Sequence, residues 1–165
     1  MATKLAIITG GSRGLGKSAA LNLAQQGVDV IVTYHSNADA ARAVVDEIEA
    51  GGRRAAAVQL DTGDVGSFEA FGRQLRQLLA EKWQRNDFDF LVNNAGVGIH
   101  APIATTTEAQ FDTLFNIHFK GVFFLTQQLL PLIADGGRIV NVSSGLTRFA
   151  LPGYAAYASM KGAVE

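Results

Sequence analysis

Short apolar, β-prone runs alternate with helical patterns along the whole chain, and no other feature narrows its possible folds as much. Leu5-Ala6-Ile7-Ile8-Thr9 ends at Gly10-Gly11, the pattern of a buried strand. Residues 14–26 follow with Ala19, Ala20, Leu23 and Ala24 on one helical face and Gly27 as the stop. The exchange then repeats: strand 28–34, helix 37–50, strand 55–60, helix 67–83, strand 88–92, long helix 107–133, strand 138–142, and a helix from about Tyr154. Thr107 and Gln110 fit a capping box at the start of the long helix, and Asp135-Gly136-Gly137 is read as its end. Strands separated by helices pair in parallel and are covered on both faces. The expectation is an α/β doubly wound parallel sheet forming one domain over residues 1–165. Ligands would bind at the carboxyl ends of its strands.

The 165 residues are 48% hydrophobic and 18% charged, which excludes disorder as the main state. Fourteen basic residues against fifteen acidic ones leave no surplus for nucleic acid or a membrane surface. With no cysteine, disulfides, thiol catalysis and Cys-based zinc sites are excluded. No run approaches the ~20 apolar residues that span a bilayer. The first residues are too short a stretch for a signal sequence. A cytoplasmic protein is expected. His35, His100 and His118 share no ligand spacing, so no metal is expected, and His100 and His118 read as ordinary loop and helix residues.

The first turn, Thr9-Gly10-Gly11-Ser12-Arg13-Gly14-Leu15-Gly16, joins a strand to a helix N-terminus. Backbone N–H groups and the positive helix end there suit a phosphate. Two motifs overlap. Gly11 to Ser18 satisfies G-x-x-x-x-G-K-[ST], which would put Lys17 on nucleotide phosphates and Ser18 on magnesium. Gly10, Gly14 and Gly16 instead satisfy T-G-x-x-x-G-x-G, a dinucleotide turn. The first motif wants a strand ending in a metal-binding Asp. Asp61 is a poor candidate, and the fourth strand ends in uncharged Asn93-Asn94.

Three further segments favour the second motif: Asn93-Asn94-Ala95-Gly96, Asn141-Val142-Ser143-Ser144, and Tyr157-Ala158-Ser159-Met160-Lys161. With the glycine turn, and in this order, they resemble the short-chain dehydrogenase/reductase family. Within it the chain looks most like 3-oxoacyl carrier-protein reductases. The resemblance runs from Leu5 to Glu165 and implies a Rossmann fold with strand order 3-2-1-4-5.

Tyr157 and Lys161 are four apart and share a helix face. A free tyrosine is a poor proton carrier at neutral pH, and a neighbouring ammonium favours the phenolate. By resemblance, Tyr157 is the general acid/base for a carbonyl or secondary alcohol. Lys161 tunes it and binds the nicotinamide ribose. Ser144 polarises the substrate oxygen, with Ser143 as the alternative, and Asn116 completes a tetrad through a bound water. Tyr154 is a decoy, since four residues on stands Ala158.

The resemblance also implies cofactor contacts from Gly10, Ser12, Arg13, Gly14, Leu15 and Gly16, from Tyr34, His35, Ser36 and Asn37, from Asp61 and Thr62, and from Asn93, Asn94, Ala95 and Gly96. Tyr157 and Lys161 complete this set. NAD enzymes carry an acidic residue after the second strand to bind the ribose 2′-hydroxyl. Here the equivalent is Tyr34, and no carboxylate comes before Asp39. Arg13 can pair with a 2′-phosphate. NADP(H) is therefore favoured over NAD(H).

Family members are usually longer, so the resemblance implies a chain that is incomplete at its C-terminal side. Two readings follow: an NADP(H)-dependent reductase of a small carbonyl or alcohol, or a dinucleotide-binding fragment without turnover. A phosphate-binding NTPase using Lys17 and Ser18 is a third. Family members commonly assemble as dimers or tetramers through the long helix and the one carrying Tyr157, so a homo-oligomer is expected. Phe111, Phe115, Phe119 and Phe123 recur every four residues and are read mainly as core, with some interface.

Overall fold

Leu5, Ala6, Ile7 and Ile8 have no exposure to solvent, and the strand they form is the middle of the sheet. The computed structural model describes residues 3–165. Strand β1 (Leu5–Ile8) is flanked by β2 (Asp29–Tyr34), with β3 (Ala55–Gln59) outside it. On the other side lie β4 (Phe88–Asn93) and then β5 (Ile133–Asn141). All four pairings are parallel and the order is β3-β2-β1-β4-β5, the doubly wound sheet implied by the alternation.

Because β1 is covered twice, its side chains feed two cores. Ile8 joins Val30 and Val32 under Ala20 and Ala24 of α1 (Gly14–Gln25) and Ala41, Val44 and Ile48 of α2 (Ala38–Ala50). Leu5 and Ile7 join Leu91 under Phe71 and Leu75 of α3 (Phe68–Leu78). Each fully buried Leu or Ile contributes about 1.5–3 kcal/mol relative to exposure.

Two buried carboxylates brace the amino ends of the strands. Asp29 accepts from Arg53, Arg54 and the Trp83 indole, and Asp89 from Lys4, the Leu5 amide and Arg85. Burial pushes both carboxyls up, but these bonds together hold each below the ordinary carboxylate value.

The long helix begins as expected. Thr107 accepts from the Gln110 amide, and the Gln110 side chain accepts from the Thr107 amide, closing the capping box. It runs through α4 (Glu108–Phe115), a π-helical turn at Asn116–Lys120, and α5 (Gly121–Leu129). Its expected end at residue 133 is corrected. Pro131 lies in a 3₁₀ turn at Leu130–Leu132, and Ile133 already pairs with Phe88. Asp135-Gly136-Gly137 therefore serves a bulge in β5, whose register jumps between Phe88 and Phe90, and Gly136 takes φ 77° there.

The phenylalanine stripe is corrected as well. Phe123 is 58% exposed and Phe111 43%, while the buried stripe is Leu114, His118, Gly121, Leu125 and Leu129. The 4-3-4-4 spacing of that set tracks the helix better than a strict step of four, which drifts around the cylinder. No helix among the described residues is long and apolar enough to cross a membrane. The final helix, α6 (Ala155–Val164), packs on α4 and the π turn.

Candidate active site

A cleft of about 680 Å³ opens at the carboxyl ends of β1 to β4. Its floor is the glycine turn. Gly10 and Gly14 have φ of 65° and 54°, conformations that a side chain would strain. A Cβ on Gly16 would collide with the Gly10 carbonyl and the Asn94 side-chain amide. The turn is tied to the next loop through Thr9, whose hydroxyl accepts from the Asn94 amide at 3.0 Å and the Ala95 amide at 2.9 Å. The Asn94 side chain donates back to the Thr9 carbonyl at 2.8 Å.

The expected cofactor residues Gly10, Ser12, Arg13, Gly14, Leu15 and Gly16 all line this cleft. So do Tyr34, His35, Ser36 and Asn37, Asp61 and Thr62, and Asn94, Ala95 and Gly96. Asn93 does not. It is buried and donates to Thr126 and Asn141, a strut joining β4, β5 and α5. Arg13 is exposed at the N-terminus of α1, beside the segment after β2. His35 lies 3.5 Å from Asp61, and Asn37 spends its side-chain oxygen capping α2, which leaves its NH₂ free. Lys17, by contrast, pairs with Glu47 of α2 at 2.9 Å, and neither it nor Ser18 faces the cleft. The phosphate-binding role considered for these two therefore has no geometry behind it.

The far wall is made by the long helix. Thr113, Asn116 and Ile117 face the cleft. A Cβ on Gly121 would strike the Thr62 carbonyl, so only glycine lets the helix approach the loop after β3 this closely. The π turn follows from the Gly121 amide bonding to the Asn116 carbonyl.

Tyr157 and Lys161 share a face of α6, with Lys161 Nζ 5.8 Å from the Tyr157 ring centroid. Lys161 is buried and donates to the Val142 carbonyl at 2.7 Å; its burial lowers its pKa from the ordinary lysine value. The Ser143 hydroxyl donates to Glu165 at 2.7 Å, while Ser144 accepts from the Leu146 amide at 3.2 Å and keeps its hydroxyl hydrogen. That contrast favours Ser144 as the free donor. Asn116 faces the glycine-floored cleft. The side chain of the long helix that meets Tyr157 is His118, ring centroids 5.2 Å apart and edge-on. Sequence reasoning passed His118 over. The signal was present in a lone polar residue on the stripe Leu114, Gly121, Leu125 and Leu129.

The loop after β4 is clamped to the turn before α6. The Ala101 amide donates to the Gly153 carbonyl at 2.8 Å. His100 packs edge-on against Tyr154, and its ring fills the space where a Cβ on Gly153 would stand. Beyond this clamp lies an apolar groove of about 570 Å³ walled by Ile103, Leu146, Phe149, Leu151 and Tyr154.

The family model for short chain dehydrogenase matches residues 4–165. The hydroxynaphthalene reductase-like protein Arp2 of Metarhizium brunneum is 36% identical over 167 residues, spanning all of this chain and 60% of its own length. Hydroxynaphthalene reductase arp2 of Aspergillus fumigatus is 35% identical, over 98% of this chain and 57% of its own. Among solved structures, the angucycline C-6 ketoreductase LanV with bound NADP superposes with TM-score 0.94 at 41% identity, covering 98% of this chain and 63% of LanV. The reductase LugOII, named for keto-reduction during lugdunomycin biosynthesis, gives 0.94 at 39%, covering 99% and 71%. The chain spans about 60% of the length of the curated relatives it matches.

Proposed function

The chain belongs to the short-chain dehydrogenase family, and on that premise we propose that it carries the cofactor cleft and proton-transfer residues of an NADP(H)-dependent ketone reductase. The observation that carries this is one arrangement: a glycine-floored cleft walled by the long helix, against which packs a helix on which Tyr157 stands beside buried Lys161. The residues fit the dinucleotide. The start of α1 and the turn amides suit the pyrophosphate. Arg13, with no acidic residue at Tyr34, suits a 2′-phosphate, which makes NADP(H) the better ligand than NAD(H). Structures solved with NADP among its neighbours support the same choice.

When bound, the cofactor supplies or takes up the hydride. The chain's own part is to hold the oxygen and move the proton. Ser144 donates its free hydroxyl hydrogen to the ketone oxygen and fixes its position. The Tyr157 phenol gives its proton to that oxygen as it becomes an alcohol, and takes it back in reverse. Lys161, pinned through Val142, holds its positive charge beside the Tyr157 ring. Asn116, on the cleft wall, contacts cofactor or an ordered water there.

The apolar groove beside Tyr154, together with relatives named for hydroxynaphthalene and angucycline ketone reduction, supports an apolar ring ketone as substrate. The exposed phenylalanine face of the long helix supports a homo-oligomer, and the chain's composition a cytoplasmic site of action. The groove is open, with Ile103 82% exposed, and this favours a second reading of binding without turnover.

The test is NADPH consumption with a bicyclic aryl ketone, alongside cofactor affinity by fluorescence. Tyr157→Phe is expected to cut turnover about 10²–10⁴-fold while leaving NADPH affinity within about twofold. Turnover that survives it removes Tyr157 as the acid. NADPH binding with no turnover in the unaltered chain selects the second reading.

A further inference from the structure

We propose that His118 is a positioning residue that sets the orientation of the Tyr157 ring, acting as a neutral link between the loop after β4 and α6. This rests on the reading of Tyr157 as the proton donor. His118 is 2% exposed, in the π turn of the long helix. Its Nε2 lies 2.7 Å from the Val97 carbonyl oxygen and 3.2 Å from the Val97 amide nitrogen. The carbonyl contact is the shorter of the two and a carbonyl can only accept, so it places the hydrogen of the neutral ring on Nε2 and leaves Nδ1 bare. One edge of the ring is thereby fixed to the loop, and the ring meets Tyr157 edge-on with centroids 5.2 Å apart and planes at 83°. The fit is close on the loop side too: a Cβ on Gly96 would fall 2.6 Å from the imidazole Cε1. A glycine at 96 is what lets the imidazole seat there.

The ring must stay neutral for this role. Nδ1 is buried with no hydrogen-bond partner among the described residues. Protonating it would create a buried donor with nothing to receive it, beside the Lys161 ammonium. The titratable groups facing His118 are Tyr157 and Lys161 of α6, and the loop after β4 presents only the main chain of Gly96 and Val97. Burial lowers its pKa below the ordinary 6.5, the Val97 bond opposes this, and Lys161 adds to the lowering.

Two variants of the full chain separate this role from simple packing. His118→Phe keeps a ring but loses the bond to Val97. His118→Asn is the conservative rescue, since its amide offers Val97 both a donor and an acceptor. His118→Phe is expected to lower kcat about tenfold to a hundredfold, with KM and NADPH affinity little changed. His118→Asn should hold kcat within about fivefold and lose the acid step, below pH 6.5, in the kcat profile of the unaltered protein. Unchanged kcat in a folded His118→Phe, or the same acid step in His118→Asn, overturns the proposal. If His118→Phe fails to fold by circular dichroism, the pH profile of His118→Asn decides alone. Turnover that persists in Tyr157→Phe overturns the assignment of the acid instead. A chain that binds NADPH without turnover removes both.

Discussion

β1 and β5 run in the same direction in one sheet, yet they live in different environments. β1 is closed to solvent at every position, with hydrogen-bonded neighbours on both sides and helices on both faces. β5 has one partner, a bulge, and Ile139 and Val140 exposed at 41% and 50%. The proposed cofactor cleft grows out of the first region and the proposed proton donor out of the second. The contrast is physical: burial shapes the first region, while a handful of polar contacts tie the segments around the second together. Lys161 to Val142, Asn94 to Thr9 and Ala101 to Gly153 are the main ones.

Core truncation should expose the contrast most strongly. Ile7→Ala is expected to cost about 2–5 kcal/mol in urea unfolding, through lost burial and a cavity. Val140→Ala should cost under about 1 kcal/mol. Equal costs would erase the distinction. Thr9→Val tests the seam between the regions. It keeps the shape but strands the amides of Asn94 and Ala95, and about 1–3 kcal/mol should be lost.

The two regions should also yield to acid at different pH. His118 has a lowered folded pKa, so its contribution is full above 6.5 and is lost as pH falls below it. The lowered Asp29 and Asp89 contribute above 3.8 and lose that contribution only in stronger acid. Urea midpoints against pH should therefore show a shallow decline and then a steep one, and His118→Asn should remove the first alone. The smallest effect belongs to the cleft mouth. Arg13→Ala should weaken NADPH binding about tenfold, near 1.4 kcal/mol, with NADH unaffected. Equal loss for both cofactors would move the 2′-phosphate contact elsewhere.

What was legible in the sequence follows the same line. The glycine turn and the strands Leu5–Ile8 and Asp29–Tyr34 are nearly continuous signals, because burial on both faces demands apolar residues without interruption. The order of four short motifs carried the topology and nearly all of the cleft. The misses concern which way a side chain faces. The phenylalanines looked inward because hydrophobicity and spacing agree, yet each step of four overshoots a helical turn of about 3.6 residues, so the stripe drifts off the buried face. His118 looked ordinary because one polar residue on a helix has no period of its own. The early start of β5 was hidden because Asp-Gly-Gly suits a helix end and a strand bulge alike.

The clamp between His100 and Gly153 has an evolutionary consequence. Position 153 sits at φ 83° with an imidazole against it, so any side chain there meets both backbone strain and a collision. Sequence drift at these two sites, fifty-three residues apart, is therefore ordered. The ring at 100 must shrink before 153 can change, and the reverse order passes through a defective intermediate. Related sequences that differ at one of these positions are expected to differ at the other.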